Sequence, residues 1–348
     1  MKALVLRAKE TLLYEDIPTP TPGPYDVLIK VRCAGICGSD VPRVNQGAAH
    51  FFPIVLGHEF SGIIASFGSE VEGLRAGMKA TAAPLVPCFV CEDCQRGNFS
   101  LCQHYSFIGS SRFGAFGDFA LVPARNIVTF PSNVSFEEGA FFEPATVSLH
   151  GLLHSGFRPG RTVAILGCGT VGLFALQWAR LLGAKKIAAF DIEESRLNLA
   201  IKFGADQVFN TTGRFLEAAM QFCRLEGYEE IFETAGQNET MALAFDLAAN
   251  KANICFIGTS SKDLSFGWKT FEKMNRKEFS LTGSWMSYSA PFPGKEWTMT
   301  AEYFGNGSLK FDPELIYKSY PMEKGAQAFE DFKTPGLVKG KILLVNPE

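Results

Sequence analysis

The stretch Thr162-Val-Ala-Ile-Leu166-Gly167-Cys168-Gly169-Thr170-Val171-Gly172 decides the fold. An apolar, β-branched run breaks on glycine and resumes with helix-compatible residues, which reads as strand, tight turn and helix start. Gly167 permits the turn, Gly169 lets a pyrophosphate approach the backbone, and Gly172 allows close helix–strand packing. The helix end at Thr170 and Val171 would offer free N–H groups and a positive dipole to the phosphates.

Asp191 closes the next predicted strand at about the twenty-residue separation expected of a dinucleotide site. Its carboxylate can accept hydrogen bonds from an adenosine ribose and would repel a 2′-phosphate, so the reading favours NAD over NADP. Glycines kept for packing and a helix-capping aspartate are the alternative. Arg196 lies against the ribose or belongs to a solvated helix face.

Outward from this stretch, apolar runs alternate with helical segments. Predicted strands at 186–190, 207–209, 230–233, 253–257 and 279–283 and helices at about 171–182 and 193–203 imply a doubly wound parallel sheet. The earlier part of the chain reads as short strands at 3–6, 26–34, 62–67, 79–83 and 119–122, broken by turn residues, which suggests a compact β-rich, barrel-like unit. Pro18 to Pro24 holds four prolines and cannot form a central strand. The strand-like finish at 340–345 returns to the β-rich part. The expected domains are therefore 1–146 with 288–348, including a small lobe at 87–103, and an inserted dinucleotide-binding domain at 147–287.

With 348 residues, 47% hydrophobic and 20% charged, the chain suits two globular domains. A net charge of −3 gives no electrostatic reason to expect nucleic acid or an anionic membrane as partner. The uncharged run 162–179 is interrupted by three glycines, so strand, turn and helix explain it better than a membrane span.

Nine cysteines without an N-terminal secretory pattern imply reduced thiols in a cytoplasmic protein. Cys88, Cys91 and Cys94, followed by Cys102, have the C-x2-C-x2-C-x7-C spacing of a closed tetrahedral zinc site, with disulfides as the alternative. A second constellation is dispersed: Cys37-Gly-Ser39-Asp40, then Gly57-His58-Glu59, then Phe142-Glu143-Pro144. A thiol, an imidazole and a carboxylate on separate turns suit an open zinc site, although a lone cysteine or histidine is more often a buried structural residue.

Taken together, Cys33-Ala-Gly-Ile-Cys37-Gly-Ser39-Asp40, Gly57-His58-Glu59-Phe-Ser-Gly62, the four-cysteine lobe, Glu143-Pro144 and the glycine fingerprint with Asp191 resemble the zinc-dependent medium-chain dehydrogenase family along the whole chain. Glutamate at position 143 is similar to the polyol dehydrogenase branch. The resemblance implies a GroES-like β-rich catalytic domain beside the Rossmann domain, and two Zn2+ per subunit with NAD.

On the same resemblance Cys37, His58 and Glu143 hold the catalytic zinc, Glu59 is a nearby or exchanging ligand, and Asp40 fixes the His58 tautomer. A polarised substrate hydroxyl would lose its proton to Ser39 and pass hydride from carbon to nicotinamide. Pro42 stands where alcohol dehydrogenases carry the next histidine of the proton relay, which leaves water or Glu59 to complete it. The implied substrate is a polyol or polyol phosphate, oxidised to the keto sugar. Arg112, Arg43 and Lys295 are candidate phosphate cations, and His50, Trp285, Tyr288 and Trp297 candidate pocket residues beside Ser39 and Glu143. A homodimer or homotetramer is implied. The reading from another class is a zinc-stabilised nucleotide-binding sensor without catalysis.

Overall fold

The computed structural model describes residues 1–260 and 262–347. It contains two compact units, Met1–Glu143 with the segment from Tyr288 onward, and Pro144–Ser287.

The first unit is built on a seven-stranded sheet around the long strand Asp26–Gly35. That strand pairs antiparallel with Glu59–Phe67, with Phe119–Pro123 and, near its end, with Lys341–Val345. Gly35 therefore faces Glu59 on one side and Leu343 on the other. The chain's last strand is thus carried to the place where Cys37 leaves the sheet. One strand the sequence reading did not name, Thr11–Asp16, forms an antiparallel pair with Lys2–Ala8. The Pro18 to Pro24 segment carries no strand or helix, as expected of a run of missing ladder donors.

The second unit has six parallel strands in the spatial order Gln207–Asn210, Lys186–Asp191, Thr162–Leu166, Tyr228–Glu233, Ala248–Phe256 and Ser280–Gly283. Chain order reverses between Thr162–Leu166 and Tyr228–Glu233, and the carboxyl ends of these strands are where such sheets take ligands. The helix Thr170–Leu181 follows the glycine turn directly. The strand predicted at 253–257 is longer, Ala248–Phe256, with a register irregularity opposite Tyr228 to Glu230 that broke its sequence pattern. Helices Leu216–Phe222, Asn238–Leu247 and Trp268–Lys277 were not predicted. Among the described residues no helix is long and apolar enough to cross a membrane. None of the nine cysteines is in a disulfide.

Candidate active site

In the first unit three turns deliver chemistry to one point. Cys37 follows the strand Asp26–Gly35, and His58 and Glu59 open the strand Glu59–Phe67. One ligand atom each from Cys37, His58 and Glu59 lies within 4.8 Å of the others. Glu143, second residue of the helix Phe142–His154, is outside that trio but inside its field. Burial pushes its carboxyl up to about 7, with His58 opposing and Glu59 reinforcing the shift. Burial likewise pushes the Cys37 thiol up, and Glu59 adds to it. The Nδ1 atom of His58 is buried and has no hydrogen-bond partner among the described residues. A thiol, an imidazole and a carboxylate whose ligand atoms meet, with the Glu143 carboxyl in their field, fit a divalent ion of the zinc type, which would relieve both repulsion and desolvation.

The residues behind this cluster differ from expectation in one respect. Asp40 does not hydrogen-bond His58, since its Oδ1 stands 3.8 Å from Nδ1. The Asp40 Oδ2 instead accepts the Cys37 N–H at 3.1 Å, three residues back, and Oδ1 accepts from Arg43 Nη1 at 3.2 Å. A short side chain one turn away satisfies its own loop more readily than a ring on another strand. Arg43 Nη1 also donates to Ser39 Oγ at 2.9 Å, and Nη2 to Ser110 Oγ at 3.2 Å. Sequence reading missed Lys341, whose ammonium lies 2.5 Å from Glu59 Oε2 with both side chains buried. A lysine opening the last strand carries no motif, and only the pairing of that strand with Gly35 could have found it.

The four-cysteine lobe is a second centre. The sulfurs of Cys88, Cys91, Cys94 and Cys102 all lie within 4.8 Å of one another. Cys88 Sγ accepts the Cys91 N–H, and Cys102 Sγ accepts the Cys88 N–H, both at 3.3 Å. Donation from the Val90 and Cys91 amides pulls the Cys88 thiol down to about 6, so the loop is shaped for thiolate. The rings of Phe89 and Phe99 each meet Phe292 edge-on at 5.3 Å, which pins the lobe to its own unit. Four converging sulfurs with amide support fit a structural zinc ion.

In the second unit Gly167 has φ +92°, and a Cβ on Gly172 would stand 1.8 Å from the Gly167 carbonyl oxygen. A Cβ on Gly169 would meet nothing within 4 Å, leaving open space where a pyrophosphate would approach the start of the helix. Thr170 and Val171 are the first helical residues. Asp191 Oδ2 accepts the Cys168 N–H at 2.6 Å, and Oδ1 accepts the Glu193 N–H at 2.9 Å. Arg196 Nη1 stands 3.8 Å from Asp191 Oδ1, so the arginine faces the carboxylate. The aspartate therefore fastens the glycine turn.

The remaining predicted residues are scattered. His50 and Lys295 are exposed, and Lys295 opens the helix Lys295–Gly305 instead of lying in a loop. Arg112 lines a mainly apolar cavity of about 390 Å³ with Met1, Ile17 and Phe113. Tyr288 is buried, its hydroxyl accepts the Leu85 N–H at 3.0 Å, and Glu143 contributes to the rise of its pKa after burial. Trp297 is fully buried and stacked on Tyr288, which makes it a core residue. Trp285, in the second unit, is 52% exposed.

Residues 23–132 match the family model of the alcohol dehydrogenase GroES-like domain, and residues 170–301 that of the zinc-binding dehydrogenase. The chain is 40% identical over 321 residues to galactitol 1-phosphate 5-dehydrogenase of Escherichia coli (strain K12), covering 92% of each chain. The crystal structure of galactitol-1-phosphate dehydrogenase from Escherichia coli matches with a TM-score of 0.93 at 38% identity, over 99% of this chain and 100% of that one. L-idonate 5-dehydrogenase of Vitis vinifera is 29% identical over 341 residues, 95% of this chain and 90% of that protein. A Sinorhizobium meliloti structure, described as a zinc-binding dehydrogenase bound to NADP, matches with a TM-score of 0.89 at 29% identity, over 99% and 98% of the two chains.

Proposed function

The chain belongs to the zinc-binding dehydrogenases with a GroES-like domain, oxidoreductases that act on CH–OH groups, and from that premise we propose that it oxidises galactitol 1-phosphate to tagatose 6-phosphate with NAD. The observation that carries this reading is the convergence of Cys37, His58 and Glu59 beside Glu143, in a chain whose likeness to the relative named for galactitol 1-phosphate spans 92% of both lengths. Cys37, His58 and Glu143 would hold a catalytic Zn2+, Glu59 would stand beside it, and Cys88, Cys91, Cys94 and Cys102 would hold a structural one. When bound, the metal supplies Lewis acidity at the substrate oxygen and the dinucleotide supplies the hydride acceptor.

The chain's own groups supply orientation and proton handling. Ser39 Oγ accepts from Arg43, which leaves the serine proton free to turn toward solvent or substrate. Arginine cannot take up a proton, so Arg43 does not replace the histidine missing at Pro42. Ser39 is exposed, and the proton leaves through water. Of the three candidate phosphate cations, Arg43 is bonded into the cluster, and its planar fork suits a phosphate. Asp191 sets the preference for NAD.

An exposed edge strand, Ser280–Gly283, with Leu281 39% exposed, supports a homodimer joined edge to edge or a tetramer of such pairs. The relative named for unphosphorylated idonate favours a second reading, a free-polyol dehydrogenase. An NADH absorbance assay with galactitol 1-phosphate, galactitol, sorbitol and xylitol decides between them. The phosphate reading expects kcat/KM at least about tenfold higher for the phosphate, equivalent to about 1.4 kcal/mol. Equal or better turnover of a free polyol rejects it.

A further inference from the structure

The second unit has an additional groove at the end of its sheet opposite the glycine turn. Because its strands are parallel, the residues that precede or open Thr162–Leu166, Lys186–Asp191, Tyr228–Glu233 and Ala248–Phe256 gather along one edge. There they line a cavity of about 750 Å³, in the range of small-molecule sites. The five-residue strand Thr162–Leu166, about 16 Å long at the usual rise, separates this edge from Gly167.

The lining is electrostatically one-sided. Arg161, Lys185, Lys186, Arg224 and Lys277 face two carboxylates, Glu226 and Glu229, in a chain whose overall balance is −3. Glu229 is already engaged, since it pairs with Arg161 and accepts the Thr162 N–H at 2.9 Å. Lys185 and Arg224 make no ion pair among the described residues. The Lys186 ammonium stands 4.7 Å from the centre of the Phe222 ring, and the Lys277 ammonium donates to the Ala248 carbonyl oxygen. Both contacts fix a cation at the wall without neutralising it. Burial and the neighbouring Lys273 pull the Lys277 pKa down, so its positive charge lacks sufficient compensation.

The backbone is also set there against its preference. Arg224 and Leu225 have φ of +58° and +66°, a conformation that non-glycine residues rarely adopt. It turns the chain so that Arg224 enters the groove from the end of the helix Leu216–Phe222.

We propose that this groove is a binding site for a small phosphorylated anion, distinct from the dinucleotide site. Charges from four separate segments would clamp one or two phosphate groups, while Phe222 and Met220 supply apolar wall for the rest of the ligand.

Isothermal titration of the NAD-saturated protein with inorganic pyrophosphate tests this, because the glycine turn is then already filled. The expected result is one saturable site per chain, weakened at least about tenfold in K185E/R224E and unchanged in K30E/K262E, a charge-matched control on exposed residues that do not line the groove. Both substituted groove residues are exposed and unpaired, so a melting temperature like that of the parent is expected. No saturable heat with the parent protein, or equal loss in the control, overturns the proposal. Competition by a single-stranded oligonucleotide at lower concentration than pyrophosphate would also overturn it, in favour of a nucleic-acid surface.

Discussion

The Lys341 ammonium lies 2.5 Å from Glu59 Oε2 in the interior of the first unit, although 282 positions separate the two residues in the chain. The strand Lys341–Val345 reaches the site by pairing with Asp26–Gly35. Gly35 makes room, since a Cβ there would meet Glu59 Oε2 at 2.7 Å and Lys341 Cδ at 3.3 Å. Removing one member of a buried pair leaves an uncompensated charge at a cost of about 3–5 kcal/mol. We predict that Lys341→Met lowers unfolding stability by that order in urea titrations, and that adding Glu59→Gln recovers most of the loss. Simple additivity of the two substitutions would show that the pair is not coupled.

The two cysteine centres should respond differently to substitution. Cys37→Ala is expected to reduce turnover by a factor of about a thousand or more and to leave one Zn2+ per chain with the fold retained, because a ligand of an open site is lost. Cys91→Ser should remove the other ion and lower the melting temperature or disrupt assembly, since closed zinc sites contribute folding energy. Elemental analysis with circular dichroism checks both. Equal unfolding of the two variants, or a single ion per chain in fully active parent protein, contradicts the division.

The site was legible in the sequence where its chemistry sits in short local motifs. Cys88 to Cys102 and Gly167 to Gly172 each occupy a single turn or lobe, so spacing alone carries the geometry. Cys37, His58 and Glu143 required the family resemblance, because nothing in their spacing states that three turns meet. Asp40 was assigned to His58, whose charge does act on it, but its hydrogen bonds come from the Cys37 amide and Arg43. Lys341 was invisible, since its role arises from strand pairing at the far end of the chain. In the fold, strands with continuous apolar runs were read closely. Helices such as Trp268–Lys277 were not, because none of that helix's residues is buried and its sequence is mostly polar.

Asp191 fastens the glycine turn through the Cys168 amide, and in the proposed reading it also faces the ribose of a bound dinucleotide. We predict that Asp191→Ala raises KM for NAD by about tenfold or more and narrows the preference for NAD over NADP, through loss of ribose acceptance and of 2′-phosphate repulsion. Initial-rate kinetics with both cofactors measure it. An unchanged NAD/NADP ratio would mean that the carboxylate serves the turn alone and that Arg196 governs the 2′ position.

Arg43 ties together three polar side chains beside Cys37. Its Nη1 holds Ser39 and Asp40, and its Nη2 holds Ser110. Lysine at this position would keep the charge but lose the planar fork that reaches two partners at once. We predict that Arg43→Lys lowers kcat/KM for galactitol 1-phosphate by about ten- to a hundredfold, while turnover of free galactitol changes by less than about threefold. Arg43→Ala should impair both substrates, because Ser39 and buried Asp40 then lose their common donor, and leaving a buried carboxylate short of one costs on the order of 1–3 kcal/mol. Parallel kinetics on the two substrates separate these effects. If Arg43→Lys lowers turnover of both polyols equally, the guanidinium positions Ser39 without contacting phosphate.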